Sequence, residues 1–265
     1  MRYAIVSDIH ANWQAWQAVK DDIRARHVDV LFCLGDVVGY GPRPVEVLAD
    51  VRQHCDEILM GNHEAAASGL MDDGAFTDEA RASLLWTRKK LGGEQVRWCR
   101  HLPYEVLGDD VIFAHAETPA PREFGYVEET EDAAACFESN FADFIFLGHT
   151  HVPALFLRTA DGKIVRTKGS SFQTAPGARV IVNVGSVGMP RDGTAEASYC
   201  LFEPERRLIT LCRVSFDCEA LWKDVQESGS GWIPYFLRKG GPAGERHAMT
   251  AVKVASHRMR KRVRT

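Results

Sequence analysis

The sequence predicts an α/β fold, and three observations carry that prediction. Over the first 60 residues, short apolar runs of strand type alternate with segments of helical periodicity, the order expected of parallel strands joined by helical crossovers. After Pro153 the pattern changes to closely spaced strand-type runs separated by turns, as in an antiparallel sheet. A chain of 265 residues, 45% of them hydrophobic, has enough apolar side chain for one large domain or two small ones.

Taken in order, residues 3–6 form a short apolar strand that ends in Ser7-Asp8-Ile9-His10. Asn12 can cap a helix whose apolar positions Trp13, Trp16, Val19 and Ile23 recur at helical spacing. Residues 28–34 are the second strand, closed by Gly35-Asp36, and a turn at Gly39-Tyr40-Gly41-Pro42 leads to a helix over 44–54. Residues 57–60 are the third strand and run into Gly61-Asn62-His63-Glu64. Residues 65–103 break the rhythm: they read as helical, without a strand, and are expected to pack as a cap over one edge of the sheet. Strands resume at 110–113, which ends in Ala114-His115, and at 143–147, which ends in Gly148-His149-Thr150-His151, with a helix over 130–140 between them. Strand-type runs follow at 154–158, 163–167, 179–184, 197–203 and 207–214, and Asp217 begins a last helix. There is no internal repeat. Residues 1–237 are thus expected to form the domain and 238–265 a basic tail.

Composition narrows the function. The net charge of −4 does not suggest a globally basic nucleic-acid binder. The tail from Arg238 is basic, with Glu245 as its one acid, so nucleic acid stays open as a partner but is not favoured. No apolar run approaches the roughly 20 residues of a membrane span. The opening residues enter a strand at once, so no signal peptide is expected. The seven scattered cysteines contain no C-x-x-C pair and read as reduced thiols of a cytoplasmic protein.

Chemistry concentrates at the strand ends. Five separate apolar strands are followed by metal-type ligands: Asp8 with His10, Asp36, Asn62 with His63, His115, and His149 with His151. In a mainly parallel sheet those ends share one edge, where open α/β sheets place ligands. The other histidines, His27, His54, His101, His247 and His257, fall at helix ends or in the tail and are expected to be solvated. With His63 set aside, two carboxylates, one amide oxygen and four imidazoles remain. That is too many for one four-coordinate ion and fits two ions sharing a bridge. Nitrogen and oxygen donors without thiolate favour Mn, Fe, Zn or Co over Mg or Ca. Two ions roughly 3.5–4 Å apart can hold a bridging hydroxide and the non-bridging oxygens of a phosphate, which suits in-line attack on phosphorus.

These residues resemble the five blocks of the calcineurin-like metallophosphoesterases: Asp8-x-His10, Gly35-Asp36, Gly61-Asn62-His63-Glu64, His115 and Gly148-His149-x-His151. The later Asn183-Val-Gly-Ser-Val-Gly-Met-Pro-Arg191 is similar to the small bacterial phosphodiesterase branch. The resemblance implies a four-layer α/β/β/α sandwich of two mixed sheets. It implies one ion on Asp8, His10, Asp36 and His151 and a second on Asp36, Asn62, His115 and His149, with Asp36 bridging. His63 would not ligate; it would face the leaving oxygen.

Departures from the family pattern shape the expected activity. Where the protein-phosphatase branch has Asp-Arg-Gly to grip a monoester, this chain has Gly39-Tyr40-Gly41. Arg43 and Arg191 are candidates for the missing grip, with Tyr40 and Ser186 behind them. Glu64 either orients His63 or favours a helix N-terminus. The leading expectation is a phosphodiesterase acting on a small-molecule phosphoester. A dinucleoside polyphosphate hydrolase, a protein phosphatase or a nuclease of the double-strand-break-repair type would use the same centre. A retromer-type scaffold shares the fold but has an incomplete ligand set, unlike this chain.

Overall fold

The protein is described by a computed structural model covering residues 1–167 and 169–237; the basic tail expected from residue 238 lies outside the described residues. The chain begins with β1 (Tyr3–Val6), α1 (Trp13–Ala25), β2 (Val30–Cys33), α2 (Pro44–His54) and β3 (Glu57–Ile58). Three cap helices follow, α3 (Asn62–Ala67), α4 (Asp78–Lys90) and α5 (Gly93–Cys99). Then come β4 (Glu105–Leu107), β5 (Val111–Ala114), α6 (Thr130–Glu138) and β6 (Phe144–Leu147). The chain continues through β7 (Ala154–Arg158), β8 (Ile164–Thr167), β9 (Ser171–Gln173), β10 (Arg179–Asn183), β11 (Ala197–Glu203), β12 (Leu208–Val214) and α7 (Cys218–Ser228).

The strands form two mixed six-stranded sheets, in the orders β3-β2-β1-β11-β12-β9 and β4-β5-β6-β10-β7-β8. The sequence pattern predicts one mainly parallel sheet for the first five ligand-bearing strands. Instead β1, β2 and β3 lie in one sheet while β5 and β6 lie in the other, so the ligands gather at a seam between two sheets. Run 179–184, expected among the antiparallel strands, is β10, which pairs parallel with β6 and antiparallel with β7. β4 and β9 are absent from the sequence reading, and the third strand is shorter than expected because Met60 already donates its N–H to Pro103 O at 2.7 Å.

The layers follow from side-chain alternation. Ile5 points between the sheets, where it joins Phe32, Phe113, Phe144, Phe146 and Phe202. Its neighbours Ala4 and Val6 point the other way, onto Trp16 and Val19 of α1 and Val47 and Leu48 of α2. In β6, Phe144 and Phe146 face the sheet interface while Ile145 and Leu147 pack on Ala133 and Phe137 of α6. Each such large side chain removed from water contributes about 1.5–3 kcal/mol. The result is the four-layer α/β/β/α sandwich. Asn12 caps α1 by accepting from Ala15 N at 3.1 Å, and Asp217 caps α7 by accepting from Ala220 N at 2.9 Å.

The cap continues the outer helix layer: Leu84, Leu91 and Cys99 join the core of α1 and α2. Trp86 and Trp98 are half-buried under Lys90 and Arg52 respectively. All seven cysteines are free. No helix among the described residues is long and apolar enough to cross a membrane.

Candidate metal centre

The strand ends deliver their ligands through an unusual backbone. Asp8 (φ 54°), His10 (φ 47°), Asp36 (φ 52°), His149 (φ 67°) and His151 (φ 61°) all occupy the left-handed region, which residues with a Cβ seldom adopt. Each turns its side chain back over the strand ends instead of out to solvent, and all are buried. Asn62 and His63 sit on the first turn of α3. The His63 backbone N–H donates to Asp36 Oδ1 at 2.9 Å, tying that helix to the end of β2.

The side chains converge. His151 Nε2 lies 3.2 Å from Asp8 Oδ1 and 3.2 Å from His10 Nε2. His10 Nε2 lies 3.6 Å from Asp36 Oδ2, and His115 Nε2 lies 3.4 Å from the same oxygen. His115 Nε2 is 3.3 Å from Asn62 Oδ1. Two donor groups result, Asp8 with His10 and His151, and Asp36 with His115 and His149. A third joins His63 to His10 and Asp36, so proximity alone does not separate a ligand from a proton donor.

The far side of three rings is pinned by main chain. His10 Nδ1 donates to Val38 O at 3.1 Å, His115 Nδ1 to Leu34 O at 3.0 Å and His151 Nδ1 to Met189 O at 2.7 Å. With the proton on Nδ1, each Nε2 lone pair faces the centre, the usual arrangement around a metal. Glu64 takes the second role expected of it, at a helix N-terminus: as the third residue of α3 it accepts the N–H of the capping residue Gly61. Its carboxylate accepts the N–H groups of Asp36 (2.7 Å), Val38 (2.9 Å) and Gly61 (3.1 Å), so it clamps the turn after β2 to the start of α3 and leaves His63 alone. Ser186 is also structural: its hydroxyl donates to Asp8 O and accepts from Met189 N, both at 2.8 Å.

Burial and charge set the protonation states. Burial pushes Glu64 up to about 7 and pulls His63 down to about 4 and His149 to about 3. Burial would also lower His115, but the facing Asp36 carboxylate raises it to about 9. Burial would raise Asp8 and Asp36, yet the imidazoles around them, His151 for Asp8 and His115 for Asp36, hold both carboxyls below their usual range.

These residues fit transition-metal ions on two counts. Asp8 Oδ1 and His149 Nε2 are buried and find no hydrogen-bond partner in the protein, although both point among other donors. Burying such atoms unpaired is costly, so a ligand that takes their lone pairs relieves a penalty. The set of imidazole, carboxylate and amide oxygen is the one that Mn, Fe or Zn accepts.

A cleft of about 520 Å³ opens above the centre, with Asp36, Asn62, His63, His149 and His151 at its floor. Tyr40 lines it, its phenol pushed up to about 12 by burial, as does Arg191. Arg43 does not: its guanidinium is clasped by Asp224 on α7 through two 2.6 Å bonds, which corrects the expectation that it grips a phosphate. The cap supplies Met71, Phe76 and Glu79 to the wall. Phe124 and Tyr126, from the β5–α6 connection, and Tyr235, after α7, complete it; the sequence reading did not single these out, because lone aromatics in connections carry no periodic signal.

Comparison with known proteins adds an independent line. A family model for calcineurin-like phosphoesterases matches residues 1–153, a span that contains all seven candidate ligands. An uncharacterised protein of Methanocaldococcus jannaschii is 32% identical over 228 residues, 84% of this chain and 90% of that protein. A solved metallophosphoesterase from Sphaerobacter thermophilus is similar at 33% identity and a TM-score of 0.76, over 86% of this chain and 95% of that one. A hypothetical protein from Pyrococcus horikoshii shares the fold at a TM-score of 0.68 and 16% identity, over 86% of this chain and 93% of its own.

Proposed function

The chain belongs to the calcineurin-like phosphoesterase family, and we propose that it is a metal-dependent phosphodiesterase acting on a small-molecule phosphoester. The observation that carries this is the Asp36 carboxylate. It lies within reach of His10 on one side and His115 on the other, so one carboxylate links two donor groups. Asp8, His10, Asp36 and His151 would hold one ion, and Asp36, Asn62, His115 and His149 a second, of Mn, Fe or Zn type. When bound, such a pair supplies Lewis acidity to a phosphoryl oxygen and activates water at neutral pH.

The chain's own residues do the rest. His63 borders the centre and is neutral at pH 7, because burial holds it near 4. A neutral imidazole donates a hydrogen bond to the leaving oxygen and so stabilises the negative charge that grows there. Among the described residues lining the cleft, Arg191 is the one Lys or Arg. A single cation suits the one negative charge of a diester better than the two of a monoester, and the Gly39-Tyr40-Gly41 turn supplies no second grip. The pinned rings and the Glu64 clamp hold the donors before substrate arrives, so little reorganisation accompanies reaction.

The test pairs metal analysis with hydrolysis of bis(p-nitrophenyl) phosphate in Mn²⁺. Asp36→Asn is expected to lose both metal and activity. His63→Ala is expected to keep its metal while kcat falls by roughly 10²–10⁴-fold. Metal-replete wild-type protein that holds fewer than two ions per chain, or cleaves no phosphorus ester, would refute the reading.

A further inference from the structure

Large aromatic side chains are rarely left in water, and three in the described residues are: Tyr126 at 53% exposure, Phe141 at 96% and Tyr235 at 43%. Two of the three line the cleft over the metal centre. Tyr126 is also held in place. Its ring lies 4.2 Å from the ring of His149, tilted by 32°, so it rests on a candidate metal ligand while about half of it stays open to solvent. Phe76, from the cap, meets another histidine of the floor edge-on, its ring 5.2 Å from that of His63. The site therefore carries an open aromatic face beside the floor where the scissile phosphate would lie.

Charge narrows what such a face would hold. Arg191 faces the cleft, and no carboxylate among the described residues forms an ion pair with it. Glu123 lines the same cleft. A chain of several phosphates would set further negative charge against that carboxylate, whereas a single phosphate fits at Arg191 and the floor. The cleft volume of about 520 Å³ matches one small ligand and not a polymer.

We propose that Tyr126 is a stacking platform for a nucleobase, making the substrate a nucleotide ester with a single phosphate. This rests on the phosphodiesterase reading and deepens it. Tyr126 acts as a specificity residue: it touches the base and takes no proton in the reaction. Stacking on an aromatic face is tolerant of base identity, so discrimination falls between substrates with and without a base.

The test compares AMP with ribose 5-phosphate by calorimetry on the Mn²⁺-loaded protein, since the two share a phosphate and differ in the base. AMP is expected to bind about tenfold more tightly. Tyr126→Phe should keep that gap, and Tyr126→Ala should reduce it to less than about twofold. A wild-type gap below about twofold, or one that survives in Tyr126→Ala, overturns the proposal. Hydrolysis of bis(p-nitrophenyl) phosphate is followed in parallel. Base-dependent binding without any hydrolysis keeps the platform and removes the enzyme reading, while hydrolysis without base-dependent binding does the reverse.

Discussion

At the scale of single residues, the centre is built from conformations that a sequence does not announce. Asp8, His10, Asp36, His149 and His151 are all left-handed, each at a cost of order 1–3 kcal/mol that the surrounding main-chain bonds must offset. Which residues would ligate was legible, because imidazoles and carboxylates recur directly after apolar runs. That they would turn back through positive φ was not, since no glycine marks those positions. The protonation of His115 gives a direct test. A metal needs its Nε2 lone pair, but in the metal-free protein the Asp36 carboxylate, against the pull of burial, keeps the ring protonated up to about pH 9. His63 and His149 are already neutral above about 4 and 3, and burial lowers His10 as well, so of these four rings His115 is the one whose proton competes near neutrality. Proton and metal compete, so Mn²⁺ affinity is expected to rise with pH, by at most about tenfold per unit for one proton, and to level off above about 9. Chelator competition between pH 6.5 and 9.5 measures this, and an affinity independent of pH would contradict it.

At the scale of elements, the long periodic segments were legible and the short ones were not. The starts of α1 and α7 and both ends of α2 were foreseen, because Asn12 and Asp217 offer caps and Pro44 opens α2. β4 and β9 have three residues apiece, too few for alternation to show. Gly148 is not among the glycines with positive φ; a Cβ there would strike Ser7 Oγ and Asp8 Oδ2. Close approach, not chain reversal, excludes a side chain. Gly39 requires both, with φ 85° and the space for a Cβ already filled by His63 Nδ1. Gly39→Ala is therefore expected to displace His63 while leaving the ligands of the metal-binding groups in place. The outcome to measure is a fall in kcat of tenfold or more, on the order of the lower range for losing a proton donor, with unchanged metal content. Loss of metal together with rate would show that the turn serves the ligands instead.

At the scale of the whole molecule, the site is assembled from parts of the chain far apart in sequence, and this was the least legible level. β1 pairs with β11 in a register that sets Tyr3 opposite Phe202, and periodicity says nothing about which strand finds which. The two-sheet sandwich was expected only through the resemblance to a family. The same distance effect explains Arg43. Read locally, it is a basic residue near the site; in three dimensions it faces Asp224, which also accepts from Gln14 at 2.6 Å. That knot joins α1, the start of α2 and α7. Beyond α7, Trp232, Phe236 and Leu237 pack with Leu221 and Val225 against Tyr40 and Met189, and this carries Tyr235 to the cleft wall. α7 and the residues that follow it to Leu237 thus form a strap that helps shape the cleft wall. Asp224→Ala should release its α1–α2 side. Because the Arg43 side chain is 39% exposed, the stability cost is expected to be modest, about 1 kcal/mol. The informative readout is the split between kinetic constants: KM for a phosphodiester should rise severalfold, while kcat and metal content stay near wild type. An equal loss in kcat would mean that the knot supports the metal centre itself and not the cleft wall.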